Sequence, residues 1–562
     1  MNPAQLLAHF DRISDAPDAI SRLRRFILDL AVRGKLVEQD PRDEPASELL
    51  KRIQEEKARL VKTGEIKKLE TFEPVEVHEI PFTIPSGWEV IRMGWLAQKL
   101  GAGSTPLGGK SVYQSEGVPF LRSQNVHDDG LRLDDVALIS RSIHERMSGT
   151  HIQHGDLLLN ITGASIGRCA LVPITLIEGN VSQHVAIIRL FLSDIRQFIH
   201  LSLTSPFFQE VIDDVQVGVS REGLSMQRLR LFPMLLPPLA EQHRIVAKVD
   251  ELLALCDRLE AAQTERESRR DQLAAASLQR MNNGVDPDAF REHARFYFNH
   301  LPRLTTRTEH IQQLRQTILN LAVRGQLVPQ DPKDKPSPVF AIEKCAEEEN
   351  RIQLRLPLGW SWARVEDVAE ARLGKMLDKA KNSGKAYRYL RNTNIHWFDV
   401  RMDELKDLRI EVNEVEKYVL RNGDVLICEG GHGIGRTAVW RGMETNIIFQ
   451  KALHRVRPGQ ALNSEFFAYC VCVYFHAGVL QSYFTGVGIP HFTGVALSKL
   501  VFPLPPIKEQ RRIVAKVEEL MALCDRLEAQ LTTTQTESRR LLEAVLHEAI
   551  SVCSGLKQVS SL

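Results

Sequence analysis

One segment of this chain occurs twice with little change. EQHRIVAKVDELLALCDRLEAA, residues 241–262, returns as EQRRIVAKVEELMALCDRLEAQ, residues 509–530, with four positions different. Each copy follows a proline pair, in LPPLA and in LPPIK. Self-similarity at this distance indicates a duplicated architecture, in which both copies serve the same structural purpose.

The duplication extends well beyond this segment. LAVRG followed by an acidic proline loop, a P-x-G-W sequence, and a G-D run that ends in G-R occur in the same order in both halves. We therefore predict that each half runs helix, loop, helix, globular region, proline pair and long helix. The corresponding ranges are 23–47 and 314–338, 84–94 and 356–366, and 155–172 and 423–440.

The duplicated segment has the hydrophobic period of a coiled coil. Its apolar residues are spaced by alternating steps of four and three, and mixed charges fill the flanks. A helix from Glu241 to about Arg280 would be about 60 Å long at about 1.5 Å per residue. We predict that the two stripes pair with each other; the alternative is a helix buried in an ordinary core. The seam residues are Ile245, Val249, Leu252, Cys256 and Leu259, and Ile513, Val517, Leu520, Cys524 and Leu527.

Shorter helices are predicted earlier in each half. Residues 20–33 and 311–324 carry apolar residues at steps of three and four, and Gly34 and Gly325 are placed to end them as C-cap glycines. A further helix is predicted over ASELLKRIQEEKARL, with Ser47 as its N-cap.

The two regions before the long helices are predicted to be mixed α/β domains. Strand-like runs such as DLLLNIT, HVAIIRL and DVLICE alternate with glycine turns and with helical segments such as SEFFAYCVCVYF. The predicted regions are an N-terminal helical region 1–80, a first globular domain 81–240, a central helical region 241–353, a second globular domain 354–506 and a C-terminal helix 507–562.

Composition excludes several classes of protein. The chain is 43% hydrophobic and 25% charged, with a net charge of +1, so any basic face must be local. No apolar run reaches the roughly 18 residues of a membrane span, and the first residues do not resemble a signal peptide, so a cytoplasmic location is expected. The eight cysteines form no C-x-x-C pair, and no metal site is expected. Cys256 and Cys524 lie on the apolar stripes and are predicted to be core residues.

Three stretches resemble catalytic motifs without completing them. GSTPLGGKS, 103–111, nearly matches a phosphate-binding loop, but Ser104 stands where glycine is required and an extended segment follows. GGHGIGR, 430–436, has alternating glycines without a βαβ unit. LPPL, 236–239, has leucine where an amino-methyltransferase loop needs Asp or Asn. No catalytic residue is predicted.

Several of these sequences together resemble a known family. The chain is similar over nearly its full length to the specificity (S) subunits of type I restriction-modification systems. The resemblance rests on the P-x-G-W starts, on GSTP with GVPFLRSQNV, on GDLLLNITGASIGR with NVSQHVAIIR, and on LPPLAEQHRIV and LPPIKEQRRIV. The second domain departs at its front, where EARLGKMLDKAKNSGKAYRYLRNTNI replaces the G-x-T-P element.

The resemblance implies two target-recognition domains separated by long antiparallel coiled-coil helices, with an internal pseudo-twofold repeat. Each domain would bind one half of a bipartite site in double-stranded DNA. Two modification subunits would methylate adenine N6 with S-adenosylmethionine, and restriction subunits would translocate and cut DNA with ATP and Mg²⁺ in phage defence. The chain itself would be non-catalytic and hold no cofactor. A rigid spacer suits this arrangement, because one turn of DNA is about 34 Å and half-sites must match the separation of their readers.

Candidates for DNA contact are polar residues on glycine-rich loops, because Arg, Asn, Gln, Ser and Thr match the donors and acceptors of base edges. The alternative for each is a solvated loop residue or a turn-stabilising hydrogen bond. The candidates are Arg122, Ser123, Gln124, Asn125, Thr162, Ser165, Arg168, Ser220 and Arg221 in the first domain, and Arg391, Asn392, Asn394, His432, Arg436 and His491 in the second.

Two other functions compete with this hypothesis. One is a coiled-coil scaffold or decoy subunit that binds protein partners without reading DNA. The other is a self-sufficient nuclease or methyltransferase, which lacks any recognisable catalytic motif here. Neighbouring genes for an adenine methyltransferase and a helicase-nuclease would favour the specificity subunit.

Overall fold

The structure is a computed structural model that describes part of the 562-residue chain. The described residues are 16, 18–66, 71–217, 223–283, 287–340, 355–377, 384–442, 444–486, 488 and 490–555. The chain divides into a first unit, 1–265 with 535–562, and a second unit, 266–534.

The first unit contains one globular region and the helices around it. Its helices are α1 (Ala19–Val32), α2 (Ala46–Lys62), α3 (Met93–Leu96), α4 (Arg141–Arg146), α5 (Arg196–Thr204), α6 (Pro206–Val217), α7 (Met226–Arg230) and the start of α8 (Leu239–Asn283). Its strands are β1 (Glu89–Arg92), β2 (Ala97–Ala102), β3 (Tyr113–Gln114), β4 (Val118–Leu121), β5 (Val126–His127), β6 (Gly130–Leu131), β7 (Ala137–Ile139), β8 (Leu157–Asn160), β9 (Cys169–Leu171), β10 (Asn180–Val181), β11 (Val185–Leu190) and β12 (Pro233–Leu236).

The second unit repeats this order. Its further helices are α9 (Pro287–Asn299), α10 (Leu301–Leu304), α11 (Thr308–Val323), α12 (Val365–Val368), α13 (Val412–Tyr418), α14 (Ser464–His476), α15 (Gly494–Ser498) and α16 (Ile507–Gly555), whose end returns to the first unit. Its strands are β13 (Ser361–Arg364), β14 (Ala369–Leu373), β15 (Lys385–Leu390), β16 (Ile395–His396), β17 (Asp399–Val400), β18 (Lys406–Ile410), β19 (Val425–Cys428), β20 (Thr437–Val439), β21 (Ile448–Phe449), β22 (Leu453–Pro458) and β23 (Val501–Leu504).

Both globular regions are built on the same sheets. An antiparallel four-stranded sheet has the order β2-β11-β8-β9 in the first unit and β14-β22-β19-β20 in the second. A second sheet contains a parallel pair, β4 with β10 and β15 with β21. The first and last strands of each region pair antiparallel, β1 with β12 and β13 with β23. The mixed α/β architecture predicted from the sequence is confirmed.

The central strands are apolar on both faces, which fits their position inside the core. Residues 185–188 of β11 and 157–159 of β8 are fully buried. Helix α14 is likewise apolar all round and lies in the core of the second unit, as its FFAYCVCVY sequence indicates.

A tryptophan and a glutamate join the start of each globular region to the start of its long helix. Trp88 Nε1 donates a hydrogen bond to Glu241 Oε2 at 2.9 Å, and Glu241 is only 2% exposed. Trp360 and Glu509 occupy the same positions in the second unit, and both are buried. In the first unit, this bond fixes the start of the long helix to the P-x-G-W sequence.

The glycine that ends each short helix packs directly on the P-x-G-W sequence. Gly34 and Gly325 have φ angles of 64° and 68°, as predicted for C-cap glycines. A Cβ on Gly34 would lie 2.4 Å from Pro85 Cγ, and one on Gly325 would lie 2.7 Å from Pro357 Cγ. Both positions therefore require glycine for conformation and for space.

The N-cap predicted at Ser47 is wrong. Helix α2 begins at Ala46, one residue earlier, and the Ala46 amide donates to the Gly87 carbonyl at 2.9 Å. The backbone of the P-x-G-W turn satisfies this first amide, so a side-chain cap is not needed there.

Removal of the buried charge at Glu241 should change the pH dependence of stability. Burial raises the pKa of the Glu241 carboxyl, and the hydrogen bond from Trp88 offsets part of that rise. A carboxyl with a raised folded-state pKa stabilises the fold below its unfolded pKa and loses this contribution as pH increases through the folded pKa. We expect Glu241→Gln to increase the free energy of unfolding near pH 8, with a gain that shrinks toward pH ~4.5. Urea unfolding across this pH range measures the gain in unfolding free energy. The variant Glu251→Gln, at an exposed position of the same helix, serves as the control. A gain that grows on acidification would contradict a raised pKa for Glu241.

The two long helices have the predicted span. Helix α8 begins at Leu239, runs beyond Arg280 and passes from the first unit into the second, and α16 passes back. Cys256 and Cys524 are 4% and 1% exposed, so their prediction as core residues is confirmed.

Within its unit, the start of each long helix packs against the short helix of the same half. In the first unit, Arg24 of α1 bridges Asp257 and Glu260 of α8, each at 2.6 Å. In the second unit, Arg315 of α11 contacts Asp525 of α16 at 2.5 Å. The buried residues of the first stripe lie in the core of the first unit with α1, and those of the second stripe lie in the core of the second unit with α11. They are Ile245, Val249 and Cys256, and Ile513, Val517 and Cys524.

The end of each long helix packs against the short helix of the other half. Arg22 of α1 donates to Glu543 of α16 at 2.8 Å, and His310 of α11 lies 2.9 Å from Asp271 of α8. These short-helix partners were not predicted from the sequence. Leu259, predicted in the seam, is 39% exposed, so the buried stripe of the first copy ends at Cys256. The pairing of the two long stripes with each other stays a prediction.

Among the residues that the structure describes, no helix combines the length and the apolar character needed to cross a membrane.

Candidate nucleic-acid interface

The ends of several strands meet at one edge of the first globular region. Strands β2, β4, β8 and β10 end there, and β11 begins there, because β4 is parallel to β10 while β11 is antiparallel to β2 and β8. The loops that follow these strands therefore lie side by side. The pairs that fix this arrangement are Ala102 with Ala186, Leu121 with Val181, and Asn160 with Val185.

The loop after β2 is held against the β10–β11 connection by a close backbone approach. A Cβ on Gly103 would lie 2.2 Å from the Val181 carbonyl oxygen, and the Ser104 amide donates to that carbonyl at 3.1 Å. In the second unit, a Cβ on Gly374 would lie 2.1 Å from the Gln450 carbonyl oxygen. The same close approach fixes the loop after β2 in the first domain and the loop after β14 in the second.

Asn160 ties two of the predicted contact clusters together. Its Nδ2 donates to the Ser123 carbonyl oxygen at 2.8 Å and to Ser165 Oγ at 3.1 Å, and the residue is fully buried. The candidates Ser123 and Ser165, which are 42 positions apart in the sequence, are thus neighbours. The Oδ1 atom of Asn160 has no hydrogen-bond partner among the described residues.

Two predicted base contacts, Asn125 and Asn394, have an internal role instead. Asn125 Oδ1 accepts from the Arg122 amide at 2.9 Å, and its Nδ2 donates to the Arg132 carbonyl at 2.9 Å. Asn394 makes the same bonds to the amide of Arg391 and the carbonyl of Arg401, both at 3.0 Å. Both asparagines are at most 3% exposed, so the prediction of base contact for them is wrong. They hold the turn that presents their neighbours.

The other candidates of the first domain are open to contact in different degrees. Gln124 and Arg168 are exposed. Thr162 is half-buried, and its Oγ1 lies 2.5 Å from Nδ1 of His184, a residue that the sequence analysis did not single out. The Arg122 guanidinium lies 5.8 Å from the ring centre of Tyr113, which orients it along the same edge.

The second domain has the same backbone arrangement at this edge but a different side chain at the position of Asn160. Cys428 occupies the position of Asn160, and its Sγ lies 3.8 Å from the Asn392 carbonyl oxygen. Burial raises the pKa of the Cys428 thiol to about 12, so it is neutral at physiological pH. An amide that joins two loops in one domain is thus replaced by a small apolar group in the other.

Acidic residues of the second domain lie beside two of its candidate contact residues, His491 and Arg391. His491 Nδ1 lies 3.1 Å from Glu429 Oε1, and the backbone of His491 forms a bridge with Gly430. Arg391 donates to the Glu404 carbonyl oxygen at 2.9 Å. Arg436 is half-buried beside Gly433. The structure thus brings His491 to the loop of Arg436, a proximity that was not predicted from the sequence.

Some candidates lie outside the described residues. Ser220 and Arg221 fall in the undescribed segment 218–222, and the side chain of His432 is likewise not described.

Several buried thiol and imidazole groups of the two globular regions are held in their neutral forms. Within the described ranges, no group of three or more His, Cys, Asp or Glu side chains is arranged to hold a metal ion. Burial raises the pKa of the Cys169 thiol and lowers the pKa of the His200 and His454 imidazoles, so these groups are held neutral. His454 and His200 lie against backbone carbonyls of Phe492 and Cys169, at 2.7 and 2.9 Å.

Two residues at this edge, Asn160 and His184, were not predicted, and only Asn160 has a sequence signal that could have identified it. Asn160 is a polar residue at the end of the buried run LLLN, and a polar side chain in such a place needs a hydrogen-bond partner. His184 gave no comparable signal, because its contact with Thr162 depends on the pairing of β8 with β11.

Comparisons with known proteins converge on one family. A family model described as "Type I restriction modification DNA specificity domain" matches residues 85–267 and 357–534. The chain is 30% identical to the specificity subunit of the type I restriction enzyme EcoAI of Escherichia coli and 27% identical to that of EcoEI, over 95% of this chain and 94% of each relative. It is also similar to a crystal structure of the HsdS subunit from Thermoanaerobacter tengcongensis, with 20% identity, a TM-score of 0.43, and coverage of 84% of this chain and 98% of that one.

Proposed function

Because the chain belongs to the type I restriction-modification DNA specificity family, we propose that each of its two sets of strand-end loops binds one half of a bipartite site in double-stranded DNA. The chain is a specificity subunit, and DNA target recognition is its function. What we propose beyond this is that each of the two domains binds its own half of the target.

The proposal that the two domains bind different half-sites is supported by their common backbone arrangement, which carries different side chains at equivalent positions. Asn160 and Cys428 hold the same position, and Thr162 and Gly430 follow two positions later in each domain. Sequence is read through the donors and acceptors that side chains present to base edges. Two frames with unlike side chains are therefore suited to two unlike half-sites.

Specific contacts follow from the chemistry of the exposed groups. Arginine is suited to the O6 and N7 atoms of guanine, and glutamine to the N6 and N7 atoms of adenine. We assign such contacts to Arg122, Gln124 and Arg168 in the first domain and to Arg391 and Arg436 in the second. Ser123, Thr162, Ser165, Asn392 and His491 line the same edges as secondary contacts.

The domain boundaries that suit this function are those of the repeated sequence. Target-recognition domains at 81–240 and 354–506 each begin just before the first strand of the β1–β12 or β13–β23 pair. The helical regions 1–80, 241–353 and 507–562 then form the spacer, with an antiparallel seam between the long helices.

The partners of this chain carry the chemistry. Two modification subunits would bind S-adenosylmethionine and methylate adenine N6, and restriction subunits would use ATP and Mg²⁺ to translocate and cut DNA. This chain would supply no catalytic group and would act in the cytoplasm, where chromosomal DNA and its partners are present.

A change in spacer length tests the proposal. Residues 262–265 lie at the junction of the two units, where α8 is mostly exposed. Their deletion shortens the helix by about 6 Å and turns its end by about 40°. We expect methylome sequencing of cells with the partner genes to show a split N6-methyladenine motif that depends on this gene, and to show that the deletion abolishes methylation or changes the gap in the motif.

Replacement of residues 262–265 by four alanines keeps the length of the helix and should leave the motif unchanged. If no split motif appears or disappears with the gene, the proposal fails, and a scaffold that binds protein alone takes its place. An unchanged gap in the deletion variant would remove the spacer role while leaving the two readers.

A further inference from the structure

A leucine stands at the tip of the front loop of the first domain. The front loop is the segment 103–112, between β2 and β3, and Leu107 within it is 97% exposed. A side chain of this size normally gains about 1.5–3 kcal/mol from burial. This gain is therefore still open to Leu107, should another molecule cover the loop.

Both ends of the front loop are fixed to the candidate interface. At its start, the Gly103 amide donates to the Val185 carbonyl at 2.9 Å and the Ser104 amide to the Val181 carbonyl at 3.1 Å. At its end, Tyr113 lies beneath the Arg122 guanidinium. Leu107 is thus four residues from one anchor and six from the other, so it lies at the same edge as the base-contact candidates.

The second domain repeats this feature with different residues. After Gly374, the Lys375 amide donates to the Phe449 carbonyl at 3.0 Å, which corresponds to the Ser104 anchor. Met376 and Leu377 follow and are 59% and 47% exposed. Two domains that share few loop residues therefore both present large apolar side chains within three residues of the same anchor.

We propose that Leu107, and Met376 with Leu377, are wedges that enter the DNA between adjacent base pairs and partly unstack them. Leucine and methionine offer no hydrogen bond to a base edge, so they add nothing to direct readout. Apolar side chains of this kind are inserted at base steps by proteins that kink or unstack DNA, and the energy needed varies with the step. Each domain thereby selects a deformable step beside the bases that it contacts. This inference rests on the proposed function.

A double-stranded occupant fits these loops better than a protein occupant does. The anchors of both front loops include backbone bonds to Val181 and Phe449, which pair with Leu121 and Leu390, the residues just before the Arg122 and Arg391 loops. A helix or strand of a partner seated on Leu107 would also cover that edge and exclude DNA from it. A protein occupant is retained as an outcome of the test.

The experiment uses the complex of the full chain with its modification subunits and an oligonucleotide carrying the methylated motif. 2-Aminopurine is placed at successive positions of each half-site, and its fluorescence rises where stacking is lost. We expect a rise at one step of the first half-site that Leu107→Ala reduces at least about fivefold, with affinity about tenfold lower. The double variant Met376→Ala, Leu377→Ala should act on the second half-site only.

Two controls distinguish a wedge from a general effect. Ile177 is 89% exposed in the same unit but lies before the opposite end of β10, so Ile177→Ala should leave fluorescence and affinity unchanged. A mismatched base pair placed at the step where fluorescence rises is already partly unstacked. It should therefore restore most of the affinity that Leu107→Ala loses.

The remaining outcomes overturn the inference. Specific binding with no unstacking outside the methylated adenine, or unstacking that Leu107→Ala does not change, would overturn the wedge and leave the proposed function standing. Loss of the modification subunits from the Leu107→Ala complex would assign the loop to a protein contact. A wild-type complex without preference for the motif would overturn the proposed function itself.

Discussion

Exchange of residues 85–236 for the matching segment of a relative with another target is expected to replace one half of the methylated motif completely. The other half and the gap between them should remain. The reason is that this segment contains both β1 and β12, which pair along their full length from Glu89–Leu236 to Arg92–Pro233, together with every strand-end loop of the first domain. Methylome sequencing of cells with the hybrid gene measures the outcome.

The reciprocal exchange provides the control. Residues 357–504 contain β13, β23 and the loops between them, so their exchange should alter the opposite half of the motif. In both hybrids Glu241 and Glu509 stay in the host chain and must accept a new tryptophan, which the P-x-G-W sequence of a relative supplies. A hybrid that changes both halves at once would show that the domains do not read independently.

Loss of a buried carboxylate is expected to have the largest effect on stability. Asp156 is 2% exposed and accepts two hydrogen bonds from Arg189, each at 2.7 Å, and one from the Gln153 amide, also at 2.7 Å. Asp156→Ala leaves the Arg189 guanidinium unpaired in a mostly buried place, which costs about 3–5 kcal/mol. Unfolding of the variant by urea, followed through tryptophan fluorescence, should show this loss.

The second domain offers the same experiment. Asp424 is 1% exposed and accepts from Arg457 at 2.7 and 2.8 Å, so Asp424→Ala should cost a similar amount. A matched surface control is Glu178→Ala, which breaks an exposed bidentate pair with Arg141 and should cost less than about 1 kcal/mol. If Asp156→Ala and Glu178→Ala were equally mild, the buried pair would not stabilise the fold.

The sequence predicted those features of the fold that depend on local pattern. The period of the apolar residues from Ile245 onward gave the long helices, and glycine placement gave the end of α1 at Gly34. The strand runs at 157–160 and 425–428 could be identified because they are continuous and apolar. In each case the information lies within a few residues of the element.

The site was harder to predict, because its chemistry depends on which side of a turn is buried. Asn125 and Gln124 are adjacent polar residues with equal capacity to contact a base. The structure buries the first against the Arg132 carbonyl and exposes the second. Asn160 was missed for a related reason, since its two partners come from loops that only the strand pairing brings together. Such contacts are tertiary, and no local pattern specifies them.

The short helices that pack against the long helices were not predicted, because an apolar stripe does not identify the element that packs against it. Ile245 and Val249 have the spacing of a coiled coil, and Ile27 of α1 lies in the same core as both. A 3.5-residue period predicts a helical neighbour of some kind but not its identity.

The first unit draws on both ends of the polypeptide, and this has a consequence for synthesis. Leu542 of α16 packs with Ala16 and Ala19 at the start of α1, and Glu543 accepts from Arg22. These residues leave the ribosome after both globular domains have emerged, so the N-terminal helix waits through most of translation with an apolar face uncovered. A polypeptide released early would keep that face open to chaperones and proteases.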